Sequence, residues 1–470
     1  MVEKLRFRDC LGDKALYKKM LKIAIPISLQ SMITVGINLM DTVMLSDLGN
    51  ELLSENSLAA SSQAGQFINL FMIFCMGIGM GASVLTSRFW GKKDLYSLKK
   101  TVTIMLRFAL CFAAVFTVVT AITPKGIMHL FAKDEATEII TLGAAYLKWM
   151  VPTFFCMGLS LVCTIVLRSV GLVQIPLICS ILAFFVNVFF NWVFIFGRLG
   201  MPRMEIEGAA LGTLIARVFE LLFICGYFFF IDKRIRYRIR DLFLKCRDMV
   251  GEYFRVSFPV LISDGLLAFG NTAVSMVMGR MGGAFVAANA VTTVVQQLSS
   301  VLTQGISNAS GIITGHTMGE GDYKKAYRQG YTFLFISGIM GTLAGLVILL
   351  VKDAVISFYG VTPEAKAIAD QLMYAIAIIM VFQTVGNMLT KGVLRAGGDT
   401  KFLMLGDILF LWVASIPLGF LAGPVLGWSS FWIYFFLKVD QILKTVWCYF
   451  RLQSGKWMKK VRSAGAEKGE

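Results

Sequence analysis

Apolar residues in this chain run in unbroken blocks of roughly 20 to 30, the length that a bilayer's hydrocarbon demands of a helix, rather than in stripes of period 3.6 or 2. Inside a bilayer such a block has no water to bond its backbone. It therefore folds as a helix that satisfies its own N–H and C=O groups, not as an open sheet. Cutting the sequence at charged and turn-rich breaks predicts twelve spans, over 22–45, 58–83, 98–122, 139–167, 172–196, 208–231, 253–280, 284–313, 325–351, 366–394, 401–426 and 428–452. Composition supports the cut: 57% of the 470 residues are hydrophobic, 16% are charged and the mean hydropathy is +0.71. Soluble domains carry about 25% charged residues, so a soluble protein is excluded.

A net charge of +16 is shared with nucleic-acid binders, but the placement of the charge decides against that class. Lysines and arginines crowd alternate loops, which by the positive-inside rule face the cytoplasm together with both termini of a multi-pass plasma (inner) membrane protein. The densest run, Lys233, Arg234, Arg236, Arg238 and Arg240, falls on that side at the chain midpoint, against anionic lipid. Around residue 10 the chain is charged (Lys4, Arg6, Arg8, Lys14, Lys18, Lys19) and lacks the pattern of a signal peptide, so the first span is expected to be retained. Nine scattered cysteines without a CxxC, and only His129 and His316, indicate neither a disulfide framework nor a zinc site. No P-loop motif is present, so no cofactor is expected and any pumping draws on an ion gradient.

The basic segment 232–252 divides the chain into two six-span halves, 22–231 and 253–452, flanked by cytoplasmic segments 1–21 and 453–470. The halves overlay. Pro26 and Asn38 correspond to Pro259 and Asn271; Gly77, Gly91 and Asp94 to Gly305, Gly319 and Asp322; Leu167, Arg168 and Gly171 to Leu394, Arg395 and Gly398. Matched Pro, Gly, Asn, Asp and Arg are not interchangeable aliphatics, so the pattern reads as a duplication. An even number of spans per half gives both the same orientation, the arrangement of parallel-repeat transporters. The expected fold class is an all-α membrane protein with twelve transmembrane helices in two pseudo-symmetric six-helix bundles.

The segments IAIPISLQSMITVGINLMDTVMLSDLG, GMGASVLTSRFWGKKD, LRSVG with its repeat LRAGGDTKF, and NVFFNWVFIFG together span nearly the whole chain. In order and spacing they resemble the multidrug and toxic compound extrusion (MATE) transporters, of the bacterial multidrug efflux type. The resemblance implies two six-helix bundles, alternating access, and export of amphipathic, often cationic compounds driven by inward Na+ or H+.

Carboxylates within spans cost about 2.5–3.5 kcal/mol at a helix centre, so each needs a partner or a purpose. In the first span Gln30, Thr34, Asn38 and Asp41 form one polar stripe aimed at the bundle interior. Asp41, Asn187, Asn191 and Thr213 all fall within about 15 Å of the outer ends of their spans. One carboxylate and several neutral oxygens at one depth suit a hard monovalent cation, with Asp41 and Asn187 as Na+ ligand candidates; a carboxylate shielded from water is equally suited to carry a proton. The family resemblance implies the same cation-coupling residues, Asp41, Asn187 and Thr213. Asn191 departs from the pattern, since some members carry aspartate there.

In the second half, Asp264 shares a face with Asn271 and Ser275, and Gln383 and Asn387 lie at similar depth, so Asp264, Asn271, Gln383 and Asn387, with Gln30, Thr34 and Asn38, form the expected substrate-binding patch. Local neutralisation is expected of Glu220 by Arg217 and of Asp440 by Lys444, water contact of Asp407, and snorkelling of Lys148. The function expected is secondary active, Na+- or H+-coupled multidrug antiport, with no enzymatic activity, by a monomer binding amphipathic or cationic small molecules and lipid but no nucleic acid. A lipid-linked oligosaccharide or lipid flippase of the same two-bundle plan is the alternative, expected to line its cavity with Arg or Lys; a non-transporting receptor is disfavoured by the duplication and the intramembrane acids.

Overall fold

The computed structural model describes residues 12–48, 51–131, 137–358, 362–461 and 463, and the regular structure within them is all helical. The first half contains α1 Lys14–Ser46, α2 Glu51–Gly91, α3 Leu95–Ile122, α4 Pro124–Phe131, α5 Thr137–Met150, α6 Thr153–Ser169, α7 Gln174–Phe196 and α8 Glu205–Gly226. The second contains α9 Arg247–Gly279, α10 Gly283–Gly319, α11 Tyr323–Phe358, α12 Pro363–Asn387, α13 Leu394–Ala396, α14 Thr400–Ile408, α15 Ile416–Phe420, α16 Ser430–Leu437 and α17 Val439–Gln453. Turns of π-helix over Met388–Val393 and Leu409–Ser415 join α12 to α13 and α14 to α15, so each of those runs is one continuous span.

Among the described residues ten helical runs are long and apolar enough to cross a membrane, and the pair α5 and α6 makes an eleventh. That pair is bent by 55° at Val151 and Pro152, where proline removes a backbone donor. The expected twelfth span is split at Lys438 into pieces of 8 and 15 residues. Several helices outrun their predicted ends. The loop expected over 46–57 is helical from Glu51, and α4 occupies part of the stretch between the third and fourth spans. A cut at the first charge marks the edge of the oily block, whereas a helix goes on bonding its own backbone beyond it.

The duplication is visible in backbone geometry. Gly171 and Gly398 both take positive φ, +81° and +76°, and both close the preceding helix, donating to Arg168 and Arg395 carbonyls at 2.9 and 2.8 Å. Only glycine takes that left-handed cap without strain. Lys93 and Gly321 likewise share positive φ, and Asp94 and Asp322 donate back to Phe89 and Thr317.

The chain divides into two compact units, Leu29–Thr86 with Leu95–Tyr253, and Met1–Ser28 with Ser87–Asp94 and Phe254–Glu470. These are called the N-terminal and C-terminal units. An aromatic core of Phe67, Phe71, Phe116 and Phe154 joins α2, α3 and α6 in the first, with the Phe71 and Phe154 rings edge-on at 5.1 Å. In the second, α11 lies close on α12: a Cβ added at Gly345 would sit 2.7 Å from the Ala377 carbonyl oxygen, so small residues set the helix separation.

The basic segment is folded onto α3. Asp232, fully buried, accepts the backbone N–H of Arg234, Ile235 and Arg236; buried Tyr237 bonds Thr103 at 2.8 Å; Lys99 and Lys100 pair with Asp241 and Asp248 at 2.8 Å each. Burial pushes the Tyr237 phenol above its usual range.

In the C-terminal unit Arg88 fastens the chain end, donating Nε to the Ala396 carbonyl at 2.8 Å and Nη1 to the Lys459 carbonyl at 2.7 Å while 5% exposed. Arg88→Met orphans both carbonyls and should lower stability by about 3 kcal/mol; a thermal melt in detergent coinciding with the parent would show that other donors replace it.

Candidate functional site

The site starts from two asparagines one turn apart on α7. Asn187 and Asn191 are 1% and 0% exposed, on a face covered by α1 and α8. Asn191 donates Nδ2 to Asp41 Oδ1 at 2.5 Å and lies 3.5 Å from Asn187 Oδ1; Asn187 donates to Thr213 Oγ1 at 3.4 Å. All four coupling residues of the sequence analysis therefore meet within the N-terminal unit. Close approach of α8 depends on Gly212, where an added Cβ would stand 2.1 Å from Asn191 Oδ1. That oxygen is buried and accepts no hydrogen bond.

Two residues join the site that depth and spacing did not select. Tyr146 of α5 lies near Thr213, and Arg217, one turn after Thr213 on α8, holds Glu220 at 2.7 Å while its charge also acts on Asp41. The four-residue step from Thr213 to Arg217 was the signal available for the second. A single carboxylate with amide and hydroxyl oxygens, one of them orphaned, fits a singly charged cation or a proton. Among the described residues no three His, Cys, Asp or Glu side chains cluster as a metal site.

The rest of the α1 stripe is arranged differently. Gln30 is buried and engaged on both sides, accepting from Arg168 at 2.5 Å and donating to Ser180 at 2.9 Å, so it ties α1 to α6 and α7. Thr34 and Asn38 are exposed, and the Thr34 hydroxyl turns back to the Gln30 carbonyl. In the C-terminal unit Asp264 accepts from Arg395 at 3.4 Å, Gln383 accepts from Gln296 at 3.2 Å, Asn387 is half-buried and Asn271 is exposed. Among the described residues no hydrogen bond joins Asp264 to Gln383 or Asn387.

Two charge assignments are corrected. Asp407 does not reach water: it is 6% exposed, accepts from Ser263 and pairs with Lys444 at 3.0 Å. Lys444 thus serves Asp407, and Asp440 is held by Ser415 at 3.1 Å and Gln441 at 2.5 Å. Sequence spacing sees only the neighbour four residues away on one helix, not the closer acid on another. Glu220 pairs with Arg217 as expected, and Lys148 is exposed.

The family model MatE matches twice, over residues 26–193 and 259–421, one match per half and each beginning at a proline. The chain belongs to the MatE family. The probable multidrug resistance protein NorM of Thermotoga maritima is 25% identical over 453 residues, 94% of this chain and 93% of its own. The uncharacterized transporter YisQ of Bacillus subtilis is 24% identical over 425 residues, 89% and 90% of the two chains. A solved structure described as MATE in complex with MaL6 superposes with a TM-score of 0.82 at 21% identity, over 96% of this chain and 98% of its own, a likeness of fold.

Within this MatE fold the Gly212 contact is the most sensitive point of the site. Gly212→Ala should push α8 from α7, cost about 1–3 kcal/mol and displace Asn191 from Asp41. Dye efflux at the parental rate by a folded Gly212→Ala protein would show that the asparagine's position is not needed.

Proposed function

We propose that the protein is a secondary active multidrug exporter that couples outward movement of amphipathic, often cationic compounds to inward Na+ or H+ by alternating access. One observation carries the coupling: Asp41 is a part-buried intramembrane acid that accepts from the amide of Asn191, while the nearby Arg217 is paired with Glu220. The names of its relatives support the multidrug cargo, NorM of Thermotoga maritima being a probable multidrug resistance protein. The protein sits in the cell membrane as a monomer with both termini cytoplasmic, needs no cofactor beyond the coupling ion, and performs no catalysis.

The chemistry follows from Asn191. With its NH2 turned to Asp41, its carbonyl oxygen is left without a donor. A proton arriving on Asp41 removes the charge that this NH2 bonds; Na+ calls for the opposite face of the amide, bringing the idle oxygen toward the ion beside Asn187 and Thr213. Either event rewrites the bonding between α1 and α7, and that is the differential interaction by which an ion shifts a conformational equilibrium. Drug and ion then compete for one charge or one conformation, which is antiport.

Asp41→Asn keeps an amide-sized polar group and should fold, with gel-filtration profile and melting curve like the parent, yet lose gradient-driven ethidium transport in proteoliposomes by about tenfold or more. Imposing Na+ and pH gradients separately identifies the coupling ion. Full transport by the mutant rejects the coupling scheme.

A further inference from the structure

Within the N-terminal unit the coupling scheme leaves unused an ion pair on α8, Arg217 with Glu220. Thr213, Arg217 and Glu220 stand at i, i+4 and i+7, on one face of that helix. Arg217 is therefore about 6 Å along the axis from Thr213 and about 4.5 Å from Glu220. Thr213 is already tied to the coupling acid, through Asn187 at 3.4 Å and then Asn191, which bonds Asp41. Arg217 thus lies between two acids, with Glu220 on one side and the Asp41 group on the other, and its long side chain spans either step. In this structure it turns to Glu220, Nη1 donating to Oε2 at 2.7 Å, and leaves Asp41 with an amide.

The groups around this guanidinium are Glu220 on its own helix, Asp41 of α1 and the Tyr146 phenol of α5. A second cation, Arg168 of α6, gives its Nη2 to the Gln30 amide and makes no hydrogen bond to Glu220 among the described residues, although its charge acts there. One guanidinium is therefore available to two carboxylates, and a carboxylate within a span needs a partner. The pair is also open to a ligand: the side chains of Arg217 and Glu220 are 27% and 18% exposed, against 7% and 5% for the enclosed pair Lys444 and Asp407. We propose that Glu220 is the acid that receives the positive charge of the cargo, and that Arg217 is its built-in competitor, displaced by cargo from Glu220 toward Asp41. With Arg217 on Glu220, Asp41 is left to the coupling ion and cargo is excluded. With cargo on Glu220, Arg217 covers Asp41 and the ion is excluded. Each state holds one outside cation, so the exchange is one for one. This assignment rests on the exporter reading and names the charge through which drug and ion compete.

Ethidium, a permanent aromatic cation, tests the assignment by fluorescence anisotropy with full-length protein in detergent, a readout that needs no transport. Glu220→Gln should weaken ethidium binding about tenfold, whereas Arg217→Gln, which removes the competitor, should tighten it about threefold or more. Na+, or acid where transport is proton-driven, should release ethidium from the parent and from Arg217→Lys but not from Arg217→Gln. The two halves of a merely structural ion pair would shift binding in the same direction, and that result, or no change in either variant, overturns the assignment. Release by the ion from Arg217→Gln as readily as from the parent also overturns it. If Arg217→Gln does not fold, Glu220→Gln and Glu220→Asp decide: affinity must fall in the first and return toward the parent in the second, and loss in both or in neither overturns the assignment. Absence of gradient-driven ethidium transport by the parent rejects the exporter reading, while the anisotropy comparison still judges Glu220.

Discussion

Hydrocarbon offers no hydrogen bonds, so each polar atom that enters a span must find its partner elsewhere in the protein, and the architecture follows from how that demand is met. Backbone groups meet it locally, within helices. Side chains meet it across helices: Asp41 through Asn191, Asp264 through Arg395, Asp407 through Lys444 and Ser263, Asp440 through Ser415. Each such bond fixes which faces of two helices touch, since breaking it would leave a charge or dipole bare in an apolar medium. Ion pairs of this sort add little net stability against well-packed apolar residues, but they choose one arrangement over its neighbours.

Seen this way, the two halves are the same scaffold carrying opposite chemistry. Arg168 and Arg395 occupy corresponding helix ends ahead of the same left-handed glycine, yet Arg168 meets the neutral amide of Gln30 while Arg395 meets the carboxylate of Asp264. The N-terminal unit consequently presents an acid bonded by an amide, and the C-terminal unit an acid paired with an arginine. A duplicated fold can diverge in this manner because the backbone caps and close glycine contacts that hold it are independent of the side chains on its polar stripes.

Asn191 Oδ1 and Arg395 Nε are both buried and both lack a hydrogen-bond partner, the first beside Asp41, Asn187 and Thr213 and the second in a side chain bonded to Asp264. An orphaned donor or acceptor costs free energy, and it is not confined to the site: Arg168 Nε, beside the tie to Gln30, is buried and unsatisfied as well.

The amino-acid sequence by itself determined the membrane class, the repeat and the depth of the polar residues, because block length, matched Pro and Gly, and helical rise are properties of one helix at a time. It placed Asp41, Asn187, Asn191 and Thr213 at one level for that reason. It did not determine the partner of Lys444, the engagement of Gln30, the bend at Pro152 or the pairing of Asp264, and it read Arg217 only as a partner of Glu220, not as a neighbour of Asp41. Only the tertiary structure decided these, since they depend on the rotation of each helix about its axis and on contacts between residues as far apart as 264 and 395, and a single helix's periodicity carries no information about the face its neighbour turns toward it.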